Sequence, residues 1–213
     1  MARSTPFLAA AALCLALPLA ACSSTGGGGG FGSPYGLVRA GQAINVGAGA
    51  LTVTAPRNWN RLERSGIFNE VRWVEDWTLN GPYLDGVSFV AGLPNDKRLV
   101  RQERKADRQV PKFRSDMTAP ELASLIETLF RVEGGSIDFK TTGLAPRPFL
   151  GASGFQYDFE HLDSDEVWRR GRAVGAVIDG KLYLMMVDAA RAHYFANVLP
   201  DFEAMAASAV RRR

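Results

Sequence analysis

Few residues in this chain have the types and spacing that chemistry needs. There are two histidines, His161 and His193, and two cysteines, Cys14 and Cys22. Ser153 sits in Gly-Ala-Ser-Gly-Phe, which lacks the second glycine of a nucleophile elbow. No His-Glu-x-x-His run and no paired-cysteine spacing offers a zinc site. His161 falls in alternation with Phe155, Tyr157 and Phe159, which places it in the core or at its rim as a structural histidine. His193 lies on a short amphipathic turn beside Tyr194 and reads the same way. The acidic run Asp163-Ser164-Asp165-Glu166 has oxygen ligands that suit calcium, but it lacks the spacing and mid-loop glycine of a calcium loop. With Asp158 and Glu160 alternating on the outer face of the preceding strand, it reads as a solvated hairpin tip. No metal, no cofactor and no catalytic residue is expected.

The strongest charge feature lies between Lys97 and Arg114. It holds Lys97, Arg98, Arg101, Arg104, Lys105, Arg108, Lys112 and Arg114 against Glu103 and Asp107. The whole chain carries a formal charge of only +3, so the rest of it is close to neutral or acidic. A local excess of this kind suits an anionic surface or an acidic protein face. Arg98, Arg101, Arg104, Lys105 and Arg108 are the candidate partner contacts, the alternative being a long solvated loop. Two aromatic groups, Trp59, Trp73 and Trp77 early and Phe155, Tyr157 and Phe159 late, are core material by default, or else the lining of a ligand cavity.

The start of the chain decides where this chemistry is delivered. Arg3 gives a positive n-region, and Phe7 to Ala21 is an uncharged Ala- and Leu-rich stretch too short to span a bilayer. It ends in Leu19-Ala20-Ala21-Cys22. Those four residues resemble the bacterial lipobox, which implies cleavage before Cys22 and acyl chains on Cys22. Two or more chains hold a protein stably to a membrane where one does not. Cys14 leaves with the signal peptide, residues 1–21, so Cys22 is the sole cysteine expected in the mature chain and no disulfide is possible. By the same resemblance, Ser23 after the lipid site implies sorting to the outer membrane, with the domain in the periplasm. A secreted chain does not meet nucleic acid.

The elements that position these residues follow a tether. Residues 22–40 include five consecutive glycines, Gly26 to Gly30, a composition that cannot bury enough apolar surface to offset ordering entropy. As a coil of about 18 residues it has an r.m.s. reach of roughly 25 Å. Residues 41–213 have a globular composition and the length of one domain. Ala43–Val46 and Leu51–Thr54 read as short strands around a Gly-Ala-Gly-Ala turn. Val71, Trp73, Trp77 and Leu79 alternate, interrupted by Glu75, and pair as a hairpin with Val87, Phe89, Ala91 and Leu93. Thr118-x-x-Glu121 is a capping box opening a helix with Leu122, Leu125, Ile126, Leu129 and Phe130 on one stripe, ended by Gly134-Gly135. Four more strands follow, within 136–144, 154–162, 167–178 and 181–187, the last two joined by an Asp179-Gly180 turn. A helical pattern from about Ala190, broken at Pro200, closes the chain.

Strands, a helix, strands and a terminal helix predict an α+β domain: an antiparallel sheet of about six to seven strands flanked by helices. Leu51-Thr52-Val53-Thr54-Ala55-Pro56-x-x-Trp59 near the start, and Asp179-Gly180-Lys181-Leu182-Tyr183 leading to Phe202 and Ser208, resemble the PsbP-like proteins. That group holds extrinsic photosystem II proteins, a Ran-binding import factor and bacterial lipoproteins. The resemblance implies a protein-binding domain without shared catalytic residues. The expected function is therefore a lipid-anchored, non-enzymatic interaction module with an envelope protein as partner. The alternative is a small-molecule or lipid carrier with a cavity between sheet and helix.

Overall fold

The structure is a computed structural model and describes residues 35–62, 74–100 and 109–212. The signal peptide, Cys22, the glycine run, Val71, Trp73, Arg101, Arg104, Lys105 and Arg108 lie outside these residues. The elements in chain order are β1 (Tyr35–Val38), β2 (Ala43–Val46), β3 (Leu51–Thr54), β4 (Trp59–Leu62), β5 (Val74–Thr78) and β6 (Asp85–Pro94). They continue with α1 (Ala119–Val132), β7 (Asp138–Pro146), β8 (Phe155–Leu162), β9 (Trp168–Ile178), β10 (Lys181–Ala190), α2 (Tyr194–Ser208) and β11 (Val210–Arg211). Eight strands form one sheet in the order β1-β4-β5-β6-β10-β9-β8-β7, and β11-β3-β2 form a second. Every pairing is antiparallel.

The large sheet is sandwiched. On one face α1 lays Leu122, Leu125 and Ile126 against Phe155, Tyr157, Phe159, Leu182 and Leu184. On the other, Val198, Phe202 and Met205 of α2, with Leu51 and Val53 of the small sheet, pack on Trp59, Trp77, Phe89 and Val187. The central strand β10 is covered on both faces, which explains its unbroken apolar run Leu182 to Val187. The aromatic ladder of β8 lies flat because β9 offers small residues opposite it. Gly171 stands opposite Phe159 and Gly175 opposite Phe155. A Cβ on Gly171 would sit 2.2 Å from the Phe159 ring.

Most of the predicted elements are present. The Glu121 carboxylate accepts from the Thr118 N–H at 2.7 Å and from its hydroxyl at 2.8 Å, opening α1 where the capping box places it. Asp179 and Gly180 both have positive φ, 50° and 71°, as a two-residue hairpin turn requires. Four expectations need correction. The expected six to seven strands are eleven among the described residues, in two sheets. Strand β1 lies within the stretch assigned to the tether; it pairs with β4 from Tyr35↔Leu62 to Val38↔Trp59 and buries Val38, so order begins before Gly41. Glu75 does not interrupt its strand face. It is buried beside Trp77, accepting from the Trp77 indole at 2.8 Å, the Gly47 N–H at 3.2 Å and Arg61 at 2.7 Å, so one carboxylate ties the two sheets together.

The fourth correction concerns the last helix. Ala190 ends β10, and α2 starts at Tyr194 and runs through Pro200 without breaking. Proline removes one hydrogen bond and crowds the preceding turn. Here Arg57 spans that turn, donating to the Asn197 carbonyl at 3.0 Å and pairing with the Asp201 carboxylate.

Candidate functional site

Alternation along β8 and β9 sorts their side chains onto two faces. Phe155, Tyr157, Phe159 and His161 face α1. Gln156, Asp158 and Glu160, with Trp168, Arg170 and Arg172 of β9, take the other face. The register sets acid against base there: Asp158 opposite Arg172 and Glu160 opposite Arg170. The helix α2 packs chiefly on β10, with β6 and the adjoining side of β9. The β7–β8 end of that face is left open, and Lys140, Arg170 and Arg191 are exposed on it.

The centre of this open face is Trp168, half-buried. The Lys140 ammonium lies 4.4 Å from its ring centroid and the Arg191 guanidinium carbon 5.3 Å. Arg191 is steadied by Glu160 at 3.1 Å, and Arg170 lies 5.1 Å over the Phe195 ring. Each cation–π contact contributes about 0.5–1 kcal/mol at an exposed site, so these cations are held in place before any partner arrives. Beside them an ion network fixes the floor. Arg172 meets Asp158 at 2.6 Å and Glu203 at 2.8 Å, and Arg147 meets Glu203 at 2.6 Å. Burial pushes the Glu203 carboxyl up, but hydrogen bonds from Arg147 and Arg172 outweigh it and leave the group below the ordinary glutamate range. Burial likewise opposes the Arg172 charge, and the bonds to Asp158 and Glu203 more than restore it, holding its pKa above the usual arginine value. An aromatic ring between pre-positioned cations is the chemistry of an interface anchor.

The basic segment expected to make the contact has an anchored base. Phe113 N–H donates to the Lys97 carbonyl at 2.8 Å, and Asp96 N–H to the Phe113 carbonyl at 2.8 Å. Leu99, Val110 and Phe113 are buried. Arg98 donates from Nε to the Val110 carbonyl at 2.7 Å and closes this neck. Lys112 pairs with Asp96, and Arg114 with Asp116 and Glu121. Of the five candidate contacts, only Arg98 is described.

His161 is 2% exposed, under Phe130, Phe139 and Phe159. Its Nδ1 lies 2.9 Å from the Ser136 hydroxyl and its Nε2 3.0 Å from the Asp188 carboxylate. Sequence separation hid this Ser–His–Asp chain. Its hydroxyl is buried, and Arg169 holds Asp188 at 2.6 Å. The arrangement works as a strut joining the end of α1 to β8, β9 and β10. At the hairpin tip, Asp163 accepts from the N–H groups of Asp165 at 3.0 Å and Val167 at 2.9 Å, which closes the turn. His193 stands edge-on to Tyr194 in front of α2. Ser153 is exposed in a turn, and Trp59 and Trp77 are core.

A surface cleft of about 460 Å³ opens beside the ion network, between residues 147–151, the end of α2 and β11. It is not the cavity between sheet and helix that a carrier was expected to have. That space is filled by Trp77, Phe89, Val198, Phe202 and Met205, all fully buried.

Comparison with known proteins bears on the fold alone. No protein-family model matches the sequence, and no curated protein matches it. Among solved structures, the chain is similar to cyanobacterial PsbP (CyanoP) from Synechocystis sp. PCC 6803, with 18% identity and a TM-score of 0.53, over 88% of this chain and 98% of that one. A second match is to LpqN, involved in cell envelope biogenesis of Mycobacterium tuberculosis, with 10% identity and a TM-score of 0.36, over 86% and 88% of the two chains. With its two-sheet core and one helix on each face, the domain has the PsbP-like fold.

Proposed function

We propose that this protein is a lipid-anchored component of the bacterial cell envelope whose periplasmic domain binds another envelope protein and catalyses no reaction. Lipid on Cys22 is the anchor and the outer membrane the site. The observation that carries the reading is Trp168 flanked by Lys140 and Arg191 on a sheet face that no helix covers. Tryptophan and arginine are the residues that most often dominate binding energy at interfaces, and pre-positioned cations speed encounter with an acidic partner. The basic segment is a second part of the same proposal, with Arg98 as its neck and Arg101, Arg104, Lys105 and Arg108 contacting the partner.

Crosslinking in intact cells tests this. Reversing Arg170 and Arg191 to Glu should remove the crosslinked partner while the melting temperature stays close to wild type, because surface changes usually cost within about 0.5 kcal/mol. Reversing Arg101, Arg104 and Arg108 should weaken the same crosslink. A partner set identical to wild type in both variants would refute the reading.

A further inference from the structure

The cleft beside β11 has two features that side-chain packing leaves unused. Among the described residues, β11 is an outer strand of the small sheet, paired only through β3. The Arg212 N–H donates toward β3, to the Ala50 carbonyl at 3.0 Å. Successive residues of an antiparallel ladder alternate in direction, so the N–H and C=O of Arg211 point to the outer edge, where Val210 and Arg211 line the cleft. Facing them is a two-residue turn between Phe149 and Ala152, closed by reciprocal bonds of 3.0 Å. Its first central residue, Leu150, has a φ of 53°, a conformation that a bulky side chain rarely adopts.

The charge of this edge selects its occupant. Arg211, Arg212 and Arg213 follow one another, and Arg147 stands at the other end of the cleft. The carboxylate paired with Arg211, Asp179, is 75% exposed, and such a pair exchanges readily because it contributes little net stability. A run of arginines repels the same edge of a second copy and favours an acidic strand instead. We propose that the outer edge of β11 takes up an extended, acidic segment of the partner protein as an added strand, its carboxylates meeting Arg211 and Arg147. This rests on the reading of the domain as a protein-binding module and names the form in which the partner is held.

The test titrates the full chain, in mild detergent, with acetyl-Glu-Val-Glu-Val-Glu-amide while following backbone amide signals. The acidic peptide should shift the signals of Leu150, Val210 and Arg211 and slow hydrogen exchange at the Arg211 amide. An extended peptide presents two edges. N-methylation along one of them should weaken binding about tenfold and along the other leave it unchanged. Arg211→Glu should abolish the shifts. Equal binding by the lysine counterpart, equal binding by both N-methylated forms, or no shift at about 1 mM peptide would overturn the inference. If the peptide fails while reversal of Arg170 and Arg191 still removes the crosslinked partner, the β11 edge is excluded and the module reading stands.

Discussion

Glu203 joins α2 to β9 and to the loop before β8, because two guanidiniums share its carboxylate. Its folded pKa lies below the ordinary glutamate value, so it adds stability that is present above the unfolded pKa, about 4.3. That stability is lost as pH falls through the folded value. Glu203→Gln should cost about 1 kcal/mol at neutral pH and flatten the acid limb below about pH 4.3, measured by thermal melts across pH. An acid limb as steep as wild type would mean the network contributes nothing. Residues of this kind were only half legible in the sequence. The alternation of Asp158 and Glu160 places them on the outer face, but nothing local showed that Arg170 and Arg172 would stand opposite. Register across strands is a long-range property. Ser136, His161 and Asp188 met for the same reason, from positions 27 residues or fewer apart that only sheet pairing brings together. Ala48 illustrates a local cost. It is exposed with a φ of 59°, and Ala48→Asn, which tolerates that region better, should raise stability by about 0.5 kcal/mol in a chemical melt.

The elements most legible from sequence are those whose signals are local, such as the capped helix α1, the Asp179-Gly180 hairpin and the alternating strand β8. Those missed were short or edge strands. β1 has four residues and β11 two, too few for periodicity to register, and they exist because neighbouring strands supply their hydrogen bonds. A chain starting at Gly41 lacks β1 and the buried Val38. It should therefore melt several degrees below one starting at Ser23, a loss of about 2 kcal/mol; equal melting would show that β1 contributes nothing. The β8–β9 pair makes a sharper claim. Gly171→Ala drives a methyl into the Phe159 ring, which Phe130, Phe139 and His161 confine. Overpacking of this kind costs about 1–3 kcal/mol, and denaturant unfolding should show it at the upper end.

At the scale of the molecule, the two faces of the large sheet are finished differently. The α1 face is closed over an aromatic core. The opposite face is covered by α2 and the small sheet only in part, and what it leaves open carries Trp168 and its cations. With the proposed anchor at Cys22 and a tether between, such a domain searches the volume next to a membrane and meets partners with one charged face. Replacing Arg170, at the middle of that face, with a photo-crosslinking amino acid in living cells tests this most directly, with Ser124 on the exposed side of α1 as the control position. The account predicts a discrete crosslinked product from position 170 and none from position 124. The same products from both positions, or none from position 170, would contradict it.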